Sequence, residues 1–268
     1  MKRFLNALIL GLASLIGVAS FLYPFYQAPA QSAGGAISHG GDAPFVFGLL
    51  ILFCLGAVMG NLESRQFNSK MVATLGVLTA VNAVLRAVPG PAGFSGIFFM
   101  PVLVGYVYGP TFGFLLGALS LLVSALIGGG IGPWLPYQMF ASGWVGLTSG
   151  WLPNLRHWRR VEVAILAAWG LLWGLVFGAI MNLWFWPYIF APGQEGMYWQ
   201  PGIGLAEALK RYAAFYALTS LWWDLGRAGG NALLLLFFAA PVVKLLWRFR
   251  QRFHFEAQGV SSSSSFLE

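Results

Sequence analysis

Eight apolar runs leave this chain few options: residues 4–23, 44–62, 71–88, 96–109, 111–128, 136–153, 161–190 and 212–247. Most approach or exceed the roughly 20 residues a helix needs to cross a bilayer. The fourth and fifth are short and meet at Gly109-Pro110, a tight turn. The last two are longer than a bilayer requires, so each is expected to tilt or extend beyond it. Backbone polar groups in hydrocarbon must be satisfied within the segment, which makes these runs helices. Only 9% of the residues are charged and 58% are hydrophobic, against about 25% charged in a soluble domain. The expected fold is an all-α, polytopic membrane protein.

The cations set the topology. With Lys2 and Arg3 inside, eight spans also place Arg65, Lys70, Arg156, Arg159, Arg160, Lys244, Arg248, Arg250 and Arg252 inside. Arg86, Lys210, Arg211 and Arg227 fall outside or in the outer leaflet. This asymmetry follows the positive-inside rule and puts both termini in the cytoplasm. It also accounts for the basic balance without nucleic acid. Lys2-Arg3 and Ala28-Pro29-Ala30 imitate a secretory leader, but the apolar stretch is longer than the usual one, which favours an uncleaved anchor. The serine-rich end, SSSSSFLE, reads as a disordered tail.

Between the fifth and sixth runs lies GGGIGPWLPYQM, Gly128 to Met139. Glycine and proline impose an unusual backbone path. Trp134, Tyr137 and Gln138 add flat apolar faces and hydrogen-bonding groups, the composition of a ligand-contacting loop. Polar groups within the spans are few: Asn82, Arg86, Gln138, Asn182, Asp224, Arg227 and Asn231. Arg86, Gln138, Asn182 and Asp224 all fall in the outer portions of their helices. Intramembrane polar groups are costly and mark function. One cavity open to the outside and lined by four helices accounts for them together. Trp184, Trp222 and Trp223 cluster at the same level, where an interfacial aromatic belt explains only some of them. Asp224 and Arg227, three residues apart, read either as a structural ion pair or as ligand contacts. Arg86 either snorkels to the surface or faces the cavity.

Small residues recur every fourth position: Gly113 and Gly117; Ser142, Gly146 and Gly150; Gly170, Gly174 and Gly178. Such stripes let helices approach closely. Gly76, Ala80, Ala83 and Ala87 form another stripe, on a helix preceded by Lys70, which could dock a partner helix. The chain has no phosphate-binding P-loop, no His-Glu-x-x-His and no Gly-x-Ser-x-Gly. Cys54 is the single cysteine, and His39, His157 and His254 have no metal-ligand spacing, so neither metal nor cofactor is expected. Eight acidic residues leave little for a proton relay. A binding protein without its own energy source fits better than an enzyme or a coupled carrier.

Three stretches carry a family likeness: ATLGVLTAVNAVLRAVPGPAGFSGIFFMPVLVGYVYGP, FGFLLGALSLLVSALIGGGIGPWLPYQMFASGWVGL and SLWWDLGRAGGNALLLLFFAAPVVKLLWRFRQRF. From about Lys70 to Phe253 the chain resembles the substrate-binding S component of energy-coupling factor (ECF) transporters, vitamin importers of the ABC type. The resemblance implies a six-helix membrane core, residues 70–253, in a bacterial or archaeal cell membrane. Here two additional N-terminal spans precede it, within residues 1–69, and a tail, 254–268, follows. It implies a small-molecule substrate of the vitamin class taken from outside, with cobalamin or another corrinoid foremost. Another vitamin or a nucleobase-like compound such as a queuosine precursor remains open. It further implies a transmembrane T subunit and two ATPase subunits as partners, with a tilting motion carrying the ligand inward. The family's coupling face maps onto Gly76, Ala80, Ala83 and Ala87. Its ligand contacts map onto outer loops and helix ends, hence Asn82, Arg86, Trp134, Tyr137, Gln138, Asn182, Trp184, Trp223, Asp224, Arg227 and Asn231. A membrane-embedded enzyme acting on a lipid or isoprenoid, or a membrane scaffold, are the competing classes.

Overall fold

The structure, a computed structural model, describes residues 2–27, 38–63 and 67–255. Ala28-Pro29-Ala30, Arg65 and residues 256–268 of the expected tail lie outside them. The chain runs through α1 (Lys2–Leu22), α2 (Pro24–Gln27), α3 (Ala43–Glu63), α4 (Ser69–Ala87), α5 (Phe99–Tyr108), α6 (Pro110–Ser124), α7 (Leu135–Ser149), α8 (Arg159–Phe185), α9 (Leu205–Thr219) and α10 (Leu221–Phe255). Among the described residues, six helices are long and apolar enough to cross a membrane.

The expected eighth run, 212–247, is two helices. The chain breaks at Ser220, between α9 and α10. Thr219 Oγ1 donates to Phe215 O at 2.7 Å, and Ser220 Oγ donates to Asn182 Oδ1 at 2.9 Å. The Thr219 bond is local, of the kind that competes with the helix ladder, while the Ser220 bond fastens the break to α8. Helix α9 carries Glu207, Lys210 and Arg211. It buries Phe215 with Trp186, Tyr198 and Trp199 in a small aromatic core of its own.

Helix α5 is also shorter than expected, with 10 residues, about 15 Å at the standard rise. It lies at the centre of the bundle, with Phe99 through Val107 all buried. The preceding segment, Ser95–Phe98, is non-helical. Irregular backbone at membrane depth survives only where protein satisfies it. Two buried amides do this. Asn231 on α10 accepts from Phe98 N at 3.1 Å and donates to Ser95 O at 2.9 Å. Asn82 on α4 donates to Ile97 O at 3.2 Å and to Ser120 Oγ at 2.8 Å. Asn231→Ala is expected to leave a backbone donor and acceptor unpaired, each worth about 1–3 kcal/mol. Thermal unfolding in detergent will show a lowered midpoint.

The small-residue stripes form the closest helix crossings. A Cβ added at Gly146 on α7 would lie 2.0 Å from Gly113 O on α6. One added at Gly117 would lie 2.1 Å from Ser142 O. On α8, Gly174 faces Ala228 and Gly178 faces the Asp224 carboxylate, both on α10. Gly109 makes the α5–α6 turn at φ +99°, a conformation that favours glycine. Pro110 then starts α6 at a position needing no intrahelical N–H bond.

Helices α1 and α3 pack on each other and against α7. Among the described residues, one face of α4 is left open. Gly76, Ala80 and Ala87 are exposed there, beside the exposed Val77, Val81, Val84 and Val88. Ala83 departs from the expected stripe: it is fully buried. It sits at the border of the packed face, next to Asn82, which bonds across to α6.

Candidate functional site

A cavity of ≈ 370 Å³ opens where the start of α7, the end of α8 and the start of α10 meet. Phe177, Met181, Phe185 and Trp223 supply its apolar walls, while Gln138, Asn182, Ser220, Asp224 and Arg227 supply its polar ones. This division suits a ligand pocket, in which apolar surface gives affinity and a few polar groups give orientation.

The local sequence explains the placement. After α6 the chain widens into a π-helical turn, Ala125–Gly129, with Gly128 at φ +147°. Pro136 then opens α7, so Gln138 lies in its first turn. From α4, Arg86 reaches across: its Nη1 donates to Ser124 Oγ at 2.8 Å and its Nη2 to Gln138 Oε1 at 3.2 Å. Arg86 therefore holds Gln138 rather than snorkelling free.

Asp224 and Arg227 pair on one face of α10, with Nη1 to Oδ1 at 2.8 Å and side chains 3% and 24% exposed. The Arg227 guanidinium also stands 5.6 Å from the centre of the Phe177 ring. Among the described residues, Asn182 Nδ2, a donor, is buried without a partner, while Asp224 Oδ2 lies against Gly178 on α8, with the Tyr216 hydroxyl within hydrogen-bonding reach of the carboxylate. Buried polar atoms left unpaired are uncommon and point to a function or a missing ligand.

The remaining expected residues lie elsewhere. Asn82 and Asn231 spend their amides on the Ser95–Phe98 backbone and are not among the cavity's lining residues. Trp134, at 37% exposure, caps α7 with its indole against Gly132. Tyr137 and Trp184 join a second cluster, built around His39. That imidazole is 1% exposed. Its Nδ1 lies 2.8 Å from Asp42 Oδ2 and 2.7 Å from Tyr137 Oη, and Tyr137 also donates to Asp42. The ring stacks on Trp184 at 5.7 Å and lies 4.9 Å from that of Tyr188.

His39 and Asp42 lie between the first two apolar runs, where the sequence marks no site. Their spacing of three was the available signal. The cluster fastens the N-terminal helices to α7 and α8. Burial alone would raise the Asp42 carboxyl, but hydrogen bonds from His39 and Tyr137 outweigh it and hold the group below the usual aspartate value. A lowered folded-state pKa stabilises above the unfolded value and is lost as pH falls through the folded one. The difference in melting temperature between wild type and Asp42→Asn is therefore expected to be constant above about pH 5. It should shrink once the pH drops below about 4.

A larger cavity of ≈ 500 Å³ lies between α3, the end of α6 and residues 131–136. Its walls are apolar side chains such as Phe47, Leu122, Leu126 and Leu135. It lacks the polar groups that would orient a water-soluble ligand.

No curated protein and no solved structure matches the chain. Residues 70–239 match the family described as "ECF transporter, substrate-specific component". That match covers α4 through most of α10, including every wall of the polar cavity and the open face of α4. The chain belongs to the substrate-specific component family of ECF transporters.

Proposed function

We propose that the polar cavity between α7, α8 and α10 is the substrate site and that its ligand is a vitamin-class micronutrient taken from outside the cell. Asn182 Nδ2, without a partner among the described residues, and the Asp224 carboxylate beside it at the cavity wall carry this reading. An acceptor and a donor together complement an amide or lactam edge, which supplies N–H and C=O. Trp223 and Phe177 provide faces for a flat ring. With Arg86 and Arg227 against one carboxylate, the surroundings also favour an acceptor-rich ligand.

The volume bears on the candidates. About 370 Å³ is near the lower end of ligand pockets, roughly 300–1,000 Å³. A compact heterocycle fits such a space. A corrinoid, the reading suggested by the GPWLPYQM and WDLGRAGGN stretches, requires α8 and α10 to part. Delivery would use a T subunit and two ATPase subunits, with the open face of α4 meeting the T subunit and the bundle tilting to carry the ligand inward.

The test is a binding panel on purified protein, with cobalamin in one arm and pterin-, flavin- and nucleobase-type compounds in the other. Micromolar or tighter binding of a lactam-bearing heterocycle, weakened at least tenfold by Asn182→Ala, is the expected result. Binding that Asn182→Ala and Asp224→Asn leave unchanged would sink this assignment of the site.

A further inference from the structure

The end of the bundle opposite the polar cavity holds a feature that substrate binding does not use. A recess of ≈ 300 Å³ lies between the start of α8 and the end of α10, lined by Arg156, Arg159, Lys244, Arg248, Trp247 and Glu162. Four cations face one carboxylate, and that carboxylate is engaged. Glu162 is 5% exposed and accepts from Tyr106 Oη at 2.8 Å. The Arg156 guanidinium lies 4.5 Å from the centre of the Trp247 ring. Among the described residues, no carboxylate lies within ion-pairing distance of Arg159, Lys244 or Arg248. Like charges gathered around one recess repel each other unless an anion enters.

Apolar surface continues from this recess. Ala240, Lys244 and Arg248 follow one another at four-residue spacing on α10. One turn further toward the membrane centre, the same face presents Leu236 and Phe237, 48% and 73% exposed. Trp151 and Trp158, both exposed, stand at the α7 and α8 ends nearby and match the aromatic belt of a membrane interface.

We propose that this recess is a binding site for the headgroup of an anionic phospholipid. The phosphate sits among Arg159, Lys244 and Arg248, and the acyl chains run along Leu236 and Phe237. A soluble phosphate would satisfy the cations but not the apolar track. A basic recess between membrane helices on the positive-inside face is where anionic lipid headgroups are held. The site is separate from the substrate cavity, so it stands or falls apart from the ligand proposed there.

The experiment is native mass spectrometry and thermal unfolding of the full chain, titrated with phosphatidylglycerol or cardiolipin, with phosphatidylcholine, or with inorganic phosphate. At an anionic surface each cation contributes roughly fivefold. Anionic lipid should therefore be retained at least tenfold better than phosphatidylcholine and should raise the melting temperature. The triple variant Arg159→Gln/Lys244→Gln/Arg248→Gln should lose that preference. Arg160→Gln/Arg252→Gln removes two cations outside the recess and should keep it. Each single Gln variant should weaken it in part, which keeps the test informative if the triple variant folds poorly. Equal retention of both lipid classes overturns the proposal. So does stabilisation by inorganic phosphate equal to that by lipid, or equal loss in the two multiple variants.

Discussion

Asp224→Ala is expected to lower substrate affinity at least a hundredfold and to lower stability as well. Among the described residues lining the cavity the carboxylate is the one acidic group, and its removal leaves the Arg227 guanidinium largely buried beside Phe177 without its partner. Breaking a buried ion pair from one side costs about 3–5 kcal/mol. Two further variants separate the effects. Asp224→Asn retains the side-chain shape and loses the charge. Asp224→Ala/Arg227→Met removes both charges, so much of the stability should return, since paired removal of buried charges is often neutral. Binding should not return, because the Asp224 carboxylate is the acceptor assigned to the ligand. Calorimetric binding of whichever vitamin the panel identifies, with melting curves on the same samples, reads both quantities. If the double variant binds as tightly as wild type, the pair is purely structural.

Gly146→Leu is expected to prevent folding. A single added carbon would lie 2.0 Å from Gly113 O, and that neighbour is backbone, which cannot rotate aside. Helices α6 and α7 would have to separate along their whole crossing, exposing interfaces that Gly105, Gly113 and Ser142 now close. Ordinary overpacking costs about 1–3 kcal/mol; displacing two backbones places this change in the exceptional range beyond about 4–5 kcal/mol. The readout is the fraction of protein that elutes as a single species in detergent, which should fall close to zero. Gly76→Leu is the matched contrast. No atom lies within 4 Å of a Cβ at Gly76, so the isolated protein should fold normally and melt no lower than wild type, since leucine gains up to about 1 kcal/mol of helix propensity over glycine.

The parts of this molecule that the sequence discloses are those governed by repetition. Apolar runs and four-residue glycine spacings are periodic, and the helices and the close-packing faces of α6, α7 and α8 follow from them, but not which helix each face meets. The break at Ser220 was hidden because the run stays apolar through it and the Ser220 hydroxyl finds its partner in Asn182, 38 positions away. At the site, Gln138, Asn182, Asp224 and Arg227 do come together around one cavity. Asn82 and Asn231 looked the same in the sequence, since a buried amide can serve a ligand or a broken backbone equally well. Only the non-helical course of Ser95–Phe98 separates the two uses. His39 and Asp42 were hidden for a different reason. Their partners Tyr137 and Trp184 lie in helices nearly a hundred residues or more beyond them, so nothing local marks the loop as buried.

The short α5 has a mechanical consequence. Its entrance, Ser95–Phe98, is hydrogen-bonded from α10 by Asn231 and from α4 by Asn82. Asn231 also donates to Arg227 O, one turn from the cavity. The segment thus works as a strut. Among the described residues, one four-residue segment therefore ties the α10 turn that carries Arg227 to α4, the helix with an open face, through two side-chain amides.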